Sequence, residues 1–348
     1  MSQPALALGA VFELEAEIDA LAVEISFSGV VRVDEAEPVA VAKAYGLAHR
    51  GYGIPNGVDT RFAIASGTKG LTALAVVALI EDGALALSTP ARSVLGVDLP
   101  LIRDEVTVEQ LLAHRSGIGD YLDEEAEADL RDYLMPVPVH ELAKTEEYLA
   151  ALAGHETKFA PDERFGYSNS GYVVLALIAE RVSGTAFHEL VRTRVCDPAG
   201  MDDTEFLRSD ELPARTAVGY LDARGLRTNV FHLPVRGSGD GGIYTTAADV
   251  AAFWRALFAG RIVAPEWVAE MVRPRSTTPS GTRGYGLGFW LNPAAGSVML
   301  VGEDTGASFG SQHSPETGLT TTVLSNTTDG ASPLLQLLAQ RFWPGPPP

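Results

Sequence analysis

A serine and a lysine three residues apart, Ser66-Gly-Thr-Lys69, stand at the mouth of an apolar stretch with helical spacing at residues 67–82. Positions i and i+3 share one face of a helix, so the hydroxyl and the amine can meet. A serine hydroxyl is a weak nucleophile until a neighbouring base takes its proton. A desolvated lysine can do this, whereas arginine holds its proton too tightly. Of the 26 basic residues only those at 43, 69, 144 and 158 are lysine, so a lysine here runs against the composition. The apolar neighbours Phe62, Ile64 and Leu71 give an ammonium little solvation. That counts against the plainer reading, a capping serine followed by a surface lysine. The pair points to acyl transfer through a serine ester.

Two further clusters bear on the same chemistry. Tyr167-Ser-Asn169 precedes a second apolar helix pattern at residues 171–182. A tyrosine near a cationic lysine is expected to have a lowered pKa and to relay protons to a leaving group. Asn169 is expected to donate to Lys69 or to a substrate carbonyl. Gly302-Glu-Asp-Thr-Gly306-Ala307 follows a strand pattern, and its glycines allow a substrate backbone to approach a strand edge. Taken singly, the first cluster also fits helix capping and the second an ordinary turn.

The elements that must position these groups have a clear order. Residues 11–22 have helical spacing, 25–33 and 38–48 read as strands, and 62–65 lead into Ser66. From residue 88 to 235 helices are joined by irregular loops, among them a capping box at Thr107-Val-Glu-Gln110. Residues 120–132 hold seven acids against Arg131 alone and read as a solvated loop or helix face. Strands return at 285–291, 297–301 and 319–325, with a helix from Thr246 to Gly260 and a closing helix at 333–343. The expected fold is α/β of the α+β type. A mostly antiparallel sheet is built from residues 1–88 and 236–348 and flanked by helices, and residues 89–235 form a largely helical insertion.

Together the three clusters resemble the serine β-lactamase and penicillin-binding-protein superfamily, in its class C, D-aminopeptidase and family VIII esterase branch. The resemblance runs from about residue 10 to 330 and is carried by 62–69, Leu111-Leu-Ala-His-Arg-Ser-Gly117, Tyr167-Ser-Asn169 and Tyr285-Gly-Leu-Gly-Phe-Trp290. It implies that Ser66 is acylated, that Lys69 activates it, and that Tyr167 is a general acid/base with Asn169 as its polar neighbour. It places the oxyanion hole at the N–H groups of Ser66 and Ala307. It implies no metal or cofactor and a small ester, amide or peptide substrate. The third cluster departs from the family pattern. Relatives carry Lys or His, then Thr or Gly, then Gly, where this chain reads Asp304-Thr305-Gly306. An aspartate facing the site, or Glu303 if the register shifts by one residue, would repel a substrate carboxylate. Neutral or cationic esters and amides are therefore expected rather than penicillins. A β-lactamase, a D-alanyl carboxypeptidase and a degenerate binder of acyl ligands stand as alternatives.

Other features exclude more than they assign. The net charge of −19 argues against nucleic acid and anionic membranes as partners. A single cysteine, Cys196, and scattered histidines support neither a disulfide framework nor a zinc site. The first sixteen residues lack the basic start of a secretory signal, which sets a cytoplasmic expectation. Gly306-Ala-Ser308-Phe-Gly310 matches a nucleophile elbow but lacks the following helix. Gly237-Ser-Gly-Asp-Gly-Gly242 matches a dinucleotide loop without its strand, and a loop bordering the cleft accounts for it better. His114 reads as structural, and His313 as a group that can return toward the site.

Overall fold

Eight antiparallel strands form the main sheet of the computed structural model, which describes residues 8–35, 39–124, 129–278 and 281–343. In chain order they are β1 (Gly29–Glu35), β2 (Val39–Tyr45), β3 (Ser276–Thr277), β4 (Gly284–Tyr285), β5 (Trp290–Asn292), β6 (Ser297–Asp304), β7 (Ala307–His313) and β8 (Leu319–Ser325). Across the sheet the order is β2-β1-β8-β7-β6-β5-β4-β3. Gly29 pairs with Ser325, so residues almost three hundred positions apart in the chain close the middle of the sheet.

Alternation along the strands gives the sheet two buried faces. Val31, Val33 and Val323 pack with α1 (Leu8–Glu24) and a C-terminal helix, Ser332–Phe342. Val30, Leu300 and Leu324 face the larger core, which contains α2 (Thr68–Glu81) and α3 (Asn169–Ser183). Residues 68–80 of α2 are buried without exception. A helix apolar all round has to be enclosed on every side. Between residues 91 and 199 every regular element among the described residues is helical.

One expectation about strands needs correction. Residues 285–291 do not form one strand. The chain turns between β4 and β5, where a Cβ on Gly286 would lie 2.0 Å from the Met271 carbonyl and one on Gly288 would lie 2.3 Å from Ala73 Cβ. The Gly306–Gly310 segment is neither turn nor elbow beyond Gly306. It starts β7, and Ser308 donates to the Thr327 carbonyl at 2.8 Å.

Candidate active site

Ser66 lies in a single 3-10 turn, Ala65–Gly67, inserted between the short strand Phe62–Ala63 and α2. Ala65 has φ of 45°, a left-handed conformation that costs a non-glycine residue energy and is retained where surrounding structure enforces it. The Ile64 amide donates to the Ile243 carbonyl at 3.0 Å, and the Thr68 hydroxyl donates back to Ala65 at 2.8 Å. These bonds fix the turn that presents Ser66.

Lys69 reaches Ser66 as the i, i+3 spacing requires. Its Nζ donates to Ser66 Oγ at 2.8 Å, to Asn169 Oδ1 at 2.7 Å and to the Asp240 carbonyl at 2.8 Å. The residue is only 2% exposed. Three acceptors match the three protons of an ammonium. Burial pushes its pKa below the ordinary lysine value, and the carboxylates of Asp240, Glu124, Asp120 and Asp304 oppose that shift.

Asn169 is the first residue of α3. Its amide donates to Glu124 Oε1 at 2.9 Å and to the Leu122 carbonyl at 3.0 Å, leaving its oxygen to accept from Lys69. The expected direction is therefore reversed: Asn169 accepts from Lys69. The start of α3 is held in place by Asp120, whose carboxylate accepts the N–H groups of Asn169 and Ser170 at 2.8 and 2.9 Å.

Tyr167 lies beside both groups. Lys69 Nζ is 4.9 Å from its ring centroid, and its hydroxyl hydrogen-bonds Ser66. The expected lowering of its pKa does not occur. Burial comes first, and with Glu124 and Tyr285 it pushes the phenol well above its usual range. Tyr167 is therefore a neutral phenol. Its ring stacks on Trp290 at 6.0 Å and lies against His114 at 4.4 Å. His114 Nδ1 accepts the Ser168 N–H at 3.1 Å, which is a structural role.

Strand β6 runs past Ser66 in a register the sequence did not suggest. Gly302 rather than Gly306 lies against the Ser66 backbone: a Cβ at 302 would be 2.2 Å from the Ile64 carbonyl and 2.8 Å from the Ser66 nitrogen. By alternation Leu300, Gly302 and Asp304 share the face toward α2. Leu300 fills the space over Gly70, so no cation stands there either. Thr305 and Gly306 form a two-residue hairpin turn between the paired Asp304 and Ala307. Their backbones are engaged elsewhere, Thr305 by the Asn229 amide at 2.9 Å and Gly306 by the Thr328 hydroxyl at 3.0 Å. Ala307 lies across the hairpin, where its N–H turns back toward Asp304. The Glu303 N–H instead points to the other edge, which β5 leaves open beyond Met299. Thr305 still lines the cavity that contains Ser66, while Ala307 is set back across the hairpin.

Asp304 does face the site. Together with Glu124, Asp240, Glu303 and Thr305 it lines a cavity of about 30 Å³ shared with Ser66 and Asn169. Thr305 N–H donates to Asp304 Oδ1 at 3.0 Å, and burial pushes its pKa up to about 7. His313 does not return. It bonds Thr320 at 2.8 Å and stacks on Trp254.

Sequence reasoning missed three members of the site. Asp120 and Glu124 were absorbed into an acidic run read as solvated. Asp240 lies in the glycine-rich loop 237–242, which closes onto α2 and gives Thr72 the Gly239 carbonyl at 2.7 Å. The excess of acids over bases at 120–132 was the available signal.

Comparison with known proteins shows the family and the fold. Residues 19–341 match the family model described as Beta-lactamase. Esterase EstB of Burkholderia gladioli is 31% identical over 310 residues, covering 78% of this chain and 74% of that protein. PbpX, a penicillin-binding-protein homologue of Bacillus subtilis, is 27% identical, and the match covers 78% of this chain but only 64% of that protein. A penicillin-binding protein structure from Bacillus halodurans superposes with a TM-score of 0.87 at 33% identity, covering 93% of this chain and 100% of that one. The D-amino acid amidase of Ochrobactrum anthropi superposes with a TM-score of 0.72 at 25% identity, covering 90% and 91%. Among the described residues no helix is long and apolar enough to cross a membrane.

Proposed function

The chain belongs to the beta-lactamase family, and we propose that it is a serine hydrolase working through a Ser66 acyl-enzyme on small esters, amides or D-amino-acid peptides. The observation that carries this reading is the 2.8 Å bond between a fully enclosed Lys69 and the Ser66 hydroxyl. The named activities of its relatives, an esterase and an amidase, are of the same kind.

In this mechanism the unprotonated Lys69 amine takes the Ser66 proton as Oγ bonds to the substrate carbonyl carbon. The N–H groups of Ser66 and Glu303 receive the oxyanion. As the intermediate collapses, Tyr167 hands a proton to the departing oxygen or nitrogen, and the proton taken up by Lys69 replaces it. Water then attacks the ester carbonyl, giving a proton to Lys69, and the acid leaves as Ser66 Oγ is reprotonated. No step in this sequence needs a metal or cofactor.

The strand face beside Ser66 carries Leu300, Gly302 and Asp304, which offers no positive group to a substrate carboxylate. Penicillins and free D-alanyl carboxylates are therefore poor substrates in this reading. A fluorophosphonate probe tests it. Labelling of the wild type that disappears in Ser66→Ala supports the hydrolase. A folded wild type that takes no label and turns over no 4-nitrophenyl ester would instead be a ligand-binding relative. Efficient turnover of a cephalosporin would overturn the exclusion of carboxylate substrates.

A further inference from the structure

We propose that Asp304 is a specificity-determining residue that holds a protonated amine of the substrate, so that the cleft selects cationic esters and amides over neutral and anionic ones. This inference rests on the Ser66 hydrolase reading and names its substrate class.

The argument starts from the strand. Gly302 marks the place of the nucleophile, since it lies against the Ser66 backbone. Asp304 is the next residue on the same face. Two residues of extended chain put it about 7 Å further along β6. A hydrogen bond takes up about 3 Å of that distance. The remainder fits an amine one or two carbons from the scissile carbonyl.

The carboxylate is prepared for such a partner. The Thr305 N–H fixes one of its oxygens at 3.0 Å, which orients the group. It opens on the same cavity as Ser66, and among the described residues that cavity is lined by no lysine or arginine. The ammonium of Lys69 is nearby but already meets three acceptors. The other acids of the wall are engaged differently. Asp240 accepts from the Tyr121 hydroxyl, and Glu124 accepts from Asn169 at 2.9 Å. Glu303 of β6 also lines the cavity, but Asp304 is the acid on the strand face that carries Gly302 against Ser66.

A second cavity, of about 50 Å³, shares Asp304 and Asp240 as its boundary with the first. Tyr148, Leu207, Val235 and Tyr244 give it an apolar wall. An amine at Asp304 therefore has room beside it for an apolar substituent, which strengthens the charge interaction by excluding water.

Three 4-nitrophenyl esters of matched shape provide the test: β-alanine, butanoate and the succinate half-ester. At pH 8, kcat/KM is expected to favour the β-alanine ester over butanoate by about tenfold to a hundredfold, the range of a hydrogen bond to a charged group. The succinate ester should fall below both. In Asp304→Asn that preference should collapse toward unity, a ratio in which the intrinsic reactivity of each ester cancels. Equal rates for the first two esters in the wild type, or a preference that survives in Asp304→Asn, would overturn the proposal. Absence of any turnover would sink the hydrolase reading instead. In that event NMR titration of Ser66→Ala with β-alaninamide and butanamide decides this one: tighter binding of the cation, lost on adding Asp304→Asn, supports it, and equal binding refutes it.

Discussion

Gly302 and Ser66 are in backbone contact: a Cβ at position 302 would lie 2.8 Å from the Ser66 amide nitrogen and 2.2 Å from the Ile64 carbonyl oxygen. Both neighbours are main chain and cannot rotate away. Gly302→Ala is expected to cost about 1–3 kcal/mol of stability, in the range of overpacking. It should also slow fluorophosphonate labelling, because the strained turn at Ala65 is displaced with Ser66. Thermal denaturation and the labelling rate, measured together, check this. A variant as stable and as reactive as wild type would show that the contact is not built as described.

In the proposed mechanism Lys69 is the base. Lys69→Ala is expected to lower kcat/KM for a neutral ester by about 10²–10⁴-fold, the contribution of general base catalysis. Lys69→Arg should be no better, because a guanidinium stays charged. Steady-state kinetics with circular dichroism as the folding control is the measurement. Arginine restoring the rate would mean that Lys69 supplies charge rather than proton transfer.

The pH profile should report the same group. Burial holds Lys69 below its ordinary value of 10.5. The free amine, which accepts the Ser66 proton, therefore forms at lower pH than on an exposed lysine. kcat/KM for 4-nitrophenyl butanoate is expected to rise with pH and level off below 10.5. A limb that rises only around the ordinary lysine value would contradict the assignment.

Tyr167→Phe removes the hydroxyl that bonds Ser66 but leaves the ring stacked on Trp290. Because this phenol stays protonated, its loss should hurt amides more than activated esters, whose leaving groups need no proton. A loss of about 10²-fold or more on an amide, with a much smaller effect on a 4-nitrophenyl ester, is expected from general acid catalysis. Equal losses on both substrates would point to a structural role.

Asp304 should also register in stability. Its pKa is raised from 3.8 to about 7 by burial and by Asp240 and Glu124, with Lys69 opposing. Between those two values the folded state binds more protons than the unfolded state, so this group lowers stability as pH rises across that window. Asp304→Asn removes the penalty. It is expected to gain about 1–2 kcal/mol over wild type on going from pH 4 to pH 8, after allowance for partial exposure. Urea denaturation at the two pH values measures the difference. A constant gap between the two proteins would show that Asp304 titrates normally.

The sequence by itself determined whatever depends on local spacing. Ser66 and Lys69 meet because i and i+3 share a helix face. Residues 70–80 lie in a buried helix because, apart from Thr72, none of them carries a polar side chain. Thr107 and Gln110 form the reciprocal cap, with bonds of 2.9 and 3.4 Å. Tertiary structure alone decided the register of β6. A strand's pairing fixes which residues share a face, and nothing local in 297–307 distinguishes Gly302 from Gly306 until helix α2 is packed against them. It also decided the protonation of Tyr167, because desolvation outweighs a neighbouring ammonium only once the ring is enclosed. Asp120, Glu124 and Asp240 come from distant parts of the chain, and their charges meet at Lys69 only when α3 and the 237–242 loop close around it.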